Sequence, residues 1–525
     1  MNVLTCLIIY LTVCLTFSQG YRMLGIFAFH GKSHFMMFEA LMKGLAKKGH
    51  QVDVISAFPL KKPVENYTDL VSIPIKLTLV NNVSFDFMKI NLREMPVHAV
   101  STMGGNELCE YLNLPEIQKI IKDPPTNPPY DVVISEIFGA SCFAVFGNIL
   151  NVPVIGVSSS ALYPWANPFI ANPENLAFVA NNLLDYVKQM NFWQRTFKTL
   201  HTLFNKMYFN YFTQYQDQLI KKYVGPNMPS VRELERNISM ILVNSHFSLN
   251  GVRPITTALI EVGGLHVQED DTKLSPELKK WADECDKDGF IYFSFGSMIK
   301  IETFPKHILD IFYKSFEKIS PVKILMKIPN PKDLPADLPN NVRMSPWLPQ
   351  LKILKHPNIR AFITHGGLMG TQETIACGVP MIGIPLFADQ FTNIDSYVEK
   401  NIAVKLDYES MTQKDMDDAL HKILYNSTYR KTARKIGERF VDRPRKPIDT
   451  ANYWIDYVIK YGFNSLHSPA LNLYWWQIAL LDVYMFLFVV TFVIIYILFH
   501  LTLLLLNMFS SKEGNTKVSH KKKIT

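Results

Sequence analysis

The chain has 525 residues, 48 % hydrophobic and 19 % charged, with a formal net charge of +8. That length exceeds one ordinary core and points to two or three domains, and the apolar content with dispersed charge excludes a disordered or fibrous chain. The positive balance does not call for nucleic acid, because the stretch from Ser510 onward carries five Lys and one Glu, half of the excess.

Taken in chain order, the first feature is an apolar run, Val3 to Phe17, followed by Ser18-Gln19-Gly20. Small residues at 18 and 20 suit cleavage before Tyr21, so residues 1–20 read as a signal peptide. Apolar runs bounded by turn residues then recur with helical segments between them. In the first half they are Met23–Phe29, Val52–Ser56, Val132–Ser135, Val154–Val157 and Ile241–Val243. In the second half they are Ile291–Phe295, Val322–Ile328, Arg360–Thr364 and Met381–Ile384. Such alternation predicts βαβ units and parallel sheets. The charged stretch Gly263 to Asp288, with its Leu274-Ser275-Pro276 turn, reads as a connector. We expect Rossmann-like domains at 21–265 and 289–470, with 266–288 between them, facing each other across a cleft.

After the first predicted strand the loop His30-Gly31-Lys32-Ser33-His34 leads into a helix expected to start near Phe35. A histidine there lies at the C-terminal edge of a parallel sheet, where ligands of such folds bind. The positive helix terminus disfavours imidazolium and leaves a ring ready to accept a proton. His30 and His34 are rivals for that role, and the residues alone do not choose between them. Asn191 to Tyr223 interleaves Phe, Trp and Tyr with Lys and Gln and reads as amphipathic helix. It either covers the N-terminal domain, lines an acceptor entrance or touches a membrane surface.

The densest motif runs from Trp347 to Gln390. A predicted strand empties through His365-Gly366-Gly367 onto a helix that ends at Gly378, and unpaired N–H groups at a helix start suit phosphate. Trp347 offers an aromatic plane, Gln350 an amide and Glu373 a carboxylate, with an Asp389-Gln390 pair beyond. Together these suit a base, a ribose, a diphosphate and a sugar. No Asp-x-Asp falls in a plausible loop, so a metal-dependent mechanism is disfavoured. Neither a metal nor a resident cofactor is expected.

Ala451 to Tyr461 is a further amphipathic helix, and Val483 to Leu506 follows as an apolar run. At 1.5 Å per residue that run is ~36 Å long, enough to cross a bilayer core of ~30 Å. We therefore expect a span within 479–506, with Trp475, Trp476 and Tyr484 as interfacial aromatics and 507–525 as a basic cytosolic tail. The lysines at 522 and 523 match a dilysine retrieval signal, and a single-pass type I endoplasmic reticulum protein follows. Sequons occur at Asn66, Asn82, Asn237 and Asn426. Cys109, Cys142, Cys285 and Cys377 are widely spaced without a metal pattern; their pairing is open, and burial as small apolar side chains is the expectation.

The segment Trp347 to Gln390 resembles the signature of the UDP-glycosyltransferases. The similarity extends from about Met23 to the basic tail, through Gly31–Ser56, Phe293–Met298 and Lys446–Ile459, with an arthropod-like flavour. It implies the GT-B architecture, an α/β fold of two facing Rossmann-like domains, here with a C-terminal transmembrane helix and the last globular helix crossing back to the N-terminal domain. It places the catalytic base at His34. Its acidic partner, usually five positions beyond the Asp that opens its strand, falls on Glu136; relatives more often have Asp there. For UDP the resemblance implies Ser297, Trp347, Gln350, His365, Gly366, Gly367, Gly370 and Glu373, and for the sugar Asp389 and Gln390. Many relatives carry Asn four residues after the His of His-Gly-Gly, where this chain has Met369.

The implied activity is inverting transfer of a hexose, with glucose favoured, from a UDP-sugar to a hydroxyl of a small lipophilic acceptor, in detoxification or conjugation. Dimerisation is compatible with the resemblance. A decayed, binding-only relative and a transferase acting on a sphingolipid headgroup are the alternatives.

Overall fold

The strands of the first half, one edge strand excepted, are buried on both faces, the condition under which continuous Val, Ile and Leu runs pair in parallel. They are β1 (Arg22–Phe27), β2 (Gln51–Ser56), β3 (Tyr67–Ser72), β4 (Val132–Glu136), β5 (Val154–Ser158), β6 (Ile238–Val243) and β7 (Leu259–Glu261). Among the described residues they form a parallel sheet in the order β3-β2-β1-β4-β5-β6-β7. The second half repeats the plan with β8 (Phe290–Ser294), β9 (Lys323–Lys327), β10 (Val342–Ser345), β11 (Ile359–Thr364), β12 (Met381–Gly383) and β13 (Ala403–Lys405). Their order is β10-β9-β8-β11-β12-β13, again parallel. In each sheet the chain reverses its direction of growth beside the first strand, between β1 and β4 and between β8 and β11. Those are the crevices where open α/β sheets bind ligands.

This computed structural model describes residues 20–75, 79–93, 95–179, 181–184, 189–268, 272–335 and 337–521, with side chains through 509. Residues 1–19 of the expected signal peptide and the lysines at 522 and 523 lie outside the described residues. The nine predicted runs all appear as strands. The four that sequence reading missed, β3, β7, β10 and β13, are the edges of the two sheets.

Helix Lys32–Lys47 starts three residues before the expected Phe35, so His34 lies inside its first turn. Phe35, Phe38, Leu41, Met42 and Leu45 recur at helical spacing and are buried, which fixes the helix on the sheet. Asn191–Tyr223 resolves into two helices, Phe192–Thr213 and Tyr215–Tyr223. The presumed connector contains helix Pro276–Asp283, whose Leu278 and Ala282 are buried with the second sheet.

Two segments cross between the halves. Leu79, Val83 and Met88, from the first half, are buried in the core around β8 and β9. Val83 bridges Ile299, accepting from the Lys300 N–H and donating to the Met298 carbonyl. In exchange, helix Pro447–Tyr461 buries Ala451, Ile455 and Val458 in the core of the first sheet.

The body runs to His467, and a second unit begins at Ser468. It holds the helix Leu481–Lys521, of which Leu481–Phe509 is a 29-residue apolar stretch whose most apolar 18-residue window has mean hydropathy 2.7. That is ~44 Å of helix, long enough to cross a bilayer with tilt.

Cys109 and Cys142, both buried, form a disulfide across 33 positions, a pairing that spacing alone left open. Cys285 is a buried thiol.

Candidate active site

The C-terminal edges of both sheets border one cleft of about 780 Å³. On the first sheet, β1 leads through Gly31 into the helix that carries His34. Glu136 is the last residue of the neighbouring β4. Its Oε1 lies 2.7 Å from His34 Nδ1. The imidazole is held between Phe29, at 4.8 Å, and the edge-on ring of Phe138, at 5.0 Å. A carboxylate accepts only, so Nδ1 carries the hydrogen and Nε2 is left to take a proton. The longer Glu therefore reaches the ring. His30 is placed differently: it is buried outside the cleft lining, with Nε2 3.0 Å from the Tyr111 hydroxyl.

On the second sheet, the turn after β8 passes through Gly296, φ +77°, to Ser297, and β11 ends just before His365. The His365 ring lies between these turns. A Cβ on either Gly296 or Gly367 would sit 2.7 Å from it, so both positions need glycine. Burial, with the nearby Lys327 ammonium, pushes the His365 imidazole down to about 4, which keeps it neutral. Among the described residues, His365 Nδ1 and Ser297 Oγ are buried without a hydrogen-bond partner. Unpartnered buried polar atoms are costly, and a pair of them lining a cleft is suited to a polar ligand.

Behind them, helix Leu368–Ala376 opens at Gly367 with no side-chain cap, leaving its first-turn N–H groups available. Gly366 lies beneath, its carbonyl accepting from Asn393 Nδ2 at 3.0 Å. Gly370 leaves room for the Gln350 amide, which donates to Glu373 Oε2. Burial raises the Glu373 carboxyl to about 7, with the Gln350 bond opposing. Trp347 keeps an open face, 53 % exposed. Asp389 lines the same cleft and accepts from Asn393 at 2.9 Å; burial pushes its carboxyl up, and His34 opposes that shift. Gln390 is only partly as expected. Its Oε1 is taken by the Leu386 and Phe387 N–H groups, leaving the amide nitrogen for a ligand.

Sequence reading missed three residues that face this cleft. Lys327, the last residue of β9, stands 5.3 Å from the Trp347 ring centre and donates to Asn81 Oδ1 at 2.7 Å and the Gly296 carbonyl at 2.8 Å. Burial lowers its ammonium to about 8. A lysine closing an apolar strand at the ligand-binding edge was the available signal. His266 Nε2 donates to the Met369 carbonyl, 3.0 Å away, and burial pushes its ring down to about 4. Tyr163 lines the cleft together with His34. Met369, where relatives often have Asn, is buried with its sulfur accepting from Asn244 at 3.2 Å, so its side chain joins the two halves rather than a ligand.

Residues 27–516 match the family described as "UDP-glucoronosyl and UDP-glucosyl transferase". "UDP-glucosyltransferase 2" of Dactylopius coccus is 34 % identical over 91 % of this chain and 92 % of its own length. "UDP-glucuronosyltransferase 2B15" of Rattus norvegicus is 29 % identical over 92 % and 93 %. Among solved structures, Phytolacca americana UGT2 in complex with UDP-2fluoro-glucose and pterostilbene superposes with a TM-score of 0.55 at 14 % identity, covering 83 % of this chain and 99 % of that one. The calicheamicin glycosyltransferase CalG4 gives 0.54 at 16 % identity, covering 85 % and 99 %. These two establish the GT-B fold alone. The extent of the family match and the identity to its insect members lead to one conclusion: the chain belongs to the UDP-glucuronosyl and UDP-glucosyl transferase family, enzymes that move a sugar from a UDP-sugar to an acceptor.

Proposed function

We propose that the protein transfers a hexose, glucose in the first instance, from its UDP-sugar to a hydroxyl of a small lipophilic acceptor with inversion, giving a β-glycoside. The observation that carries this reading is the His34–Glu136 pair at 2.7 Å on one wall of a cleft whose other wall offers Ser297 Oγ and His365 Nδ1 without partners. His34 Nε2 would take the acceptor proton while Glu136 stabilises the imidazolium that forms. The acceptor oxygen attacks the anomeric carbon from the face opposite UDP, and the C1–O bond to the diphosphate breaks. Ser297, His365, the N–H groups from Gly366 to Gly370 and the Lys327 ammonium would meet the charge left on the diphosphate. Each such donor can contribute ~3 kcal/mol in a dry cleft. Trp347 would stack on the base, Gln350 bond the base or ribose, Glu373 accept from the ribose hydroxyls, and Asp389 with the Gln390 amide hold the sugar. Nothing in this scheme needs a metal or a cofactor.

The same proposal places the body on the lumenal side of the endoplasmic reticulum, held by the Leu481–Phe509 helix with the basic tail in the cytosol. The apolar length of that helix and the exposure of Asn66, Asn82, Asn237 and Asn426 support it. A detoxifying or conjugating role, and glycosylation at those asparagines, are parts of the reading.

The test is UDP release from a panel of UDP-sugars by membranes carrying the wild type or His34→Ala, with pooled phenols and steroids as acceptors. Acceptor-dependent release from UDP-glucose, lost in the variant and yielding a β-anomer, is expected. UDP binding without turnover under every donor would overturn the enzyme reading. An α-anomer would overturn inversion.

A further inference from the structure

Helix Phe192–Thr213 is built inside out. Its buried positions are Lys198, Thr202, Asn205, Phe209 and Thr213, polar but for one. The outward stripe is Trp193, Phe197, Leu200, Phe204, Met207 and Tyr211, at steps of three and four, each 54–75 % exposed. Water would select the opposite orientation, since apolar area is what folding removes from solvent. The helix is nonetheless fixed this way round. Asn181 donates to Thr202 Oγ1 at 2.8 Å, His98 Nδ1 lies 2.9 Å from the Tyr208 hydroxyl, and Phe209 stacks on Trp165 at 4.6 Å. Its 22 residues contain Arg195, Lys198 and Lys206 and no carboxylate.

We propose that this stripe lies in the interface of a lipid bilayer, the one that holds the chain's own membrane helix. The proposal rests on the anchoring reading above. Only 14 residue steps separate His467, the end of the body, from Leu481. Fully extended they reach about 50 Å, so an anchored body is never far from lipid. From Trp193 to Tyr211 the stripe is ~27 Å long. It carries Trp, Tyr, Phe, Leu and Met, the side chains that settle at the headgroup and acyl boundary; of the helix's cations, Lys198 is buried and Lys206 is paired with Glu174, so apolar area carries the contact. The inner face of the same helix runs by stacked rings from Phe209 to Trp165 to Tyr163, which lines the cleft. The contact would thus hold the acceptor side of the cleft close to the phase in which lipophilic acceptors dissolve.

The test uses the full chain in vesicles of phosphatidylcholine and phosphatidylserine, four to one, with a benzoyl-phenylalanine photoprobe at Phe204. A control carries the probe at Tyr425, which is 65 % exposed on the second half. Lipid adducts at 204 at least tenfold above those at 425 are expected. Leu200→Glu together with Met207→Glu should abolish them while the chain stays in the carbonate-washed membrane. A chain that leaves the membrane in carbonate overturns the anchoring reading and this one with it. A chain that stays, yet gives equal adducts at both sites or a protein adduct at 204, overturns the stripe alone.

Discussion

His34 and Glu136 stand 102 positions apart in the chain and 2.7 Å apart in space, because β1 and β4 are neighbours in the first sheet and both end at its ligand-binding edge. The pair orients the ring, so removing either partner should affect chemistry more than binding. His34→Ala is expected to lower kcat by roughly 10²–10⁴-fold. Glu136→Gln should lower it by a comparable order through the wrong tautomer, with the donor KM within about threefold of wild type. Steady-state kinetics at saturating acceptor decide it: a KM effect without a kcat effect would mean that the pair is structural.

Lys327 gives a pH dependence. Burial brings its ammonium down to about 8, so the free protein loses that charge as pH rises through 8. A diphosphate bound as proposed would then lose a charge-assisted donor worth ~1.5–3 kcal/mol, about ten- to a hundredfold in affinity. kcat/KM for the donor should fall above pH 8. Lys327→Arg should move that limb beyond the measurable range, and Lys327→Met should weaken donor binding at pH 7 and flatten the profile.

Glu373 sets function against stability. Folding raises its carboxyl from 4.5 to about 7, so the folded chain takes up a proton between those values. Stability is fullest below 4.5, declines as pH rises to 7, and above 7 is lower by ~3 kcal/mol. Glu373→Gln should therefore raise Tm at pH 8, change it little at pH 4.5, and weaken UDP binding. Melting curves at the two pH values, with a UDP titration, separate these effects; an unchanged Tm at pH 8 would refute the burial argument.

The Cys109–Cys142 disulfide closes a long loop that includes β4 and Glu136. Replacing both cysteines by alanine should cost ~2–4 kcal/mol through the unfolded chain's regained freedom. Denaturant unfolding of the oxidised and doubly substituted protein measures it, and the substituted protein should retain its donor KM.

How much could be read beforehand follows from where each signal resides. The nine central strands announce themselves as unbroken apolar runs because both faces are covered. The edge strands β3, β7, β10 and β13 have one free side and mixed composition, so they lack that pattern. The His365-Gly366-Gly367 turn, Glu373 and Asp389 were legible because one strand, one turn and one helix carry their chemistry within a short stretch of chain. Pairings across the chain carry no local trace. The reach of Glu136, the burial of His30 against Tyr111, Lys327 held by Asn81, the disulfide and the crossing segments all arise from strand order and close packing. The orientation of helix Phe192–Thr213 belongs to the same class. Its periodicity predicts an amphipathic helix, but which face turns inward is settled by the polar partners waiting on the body.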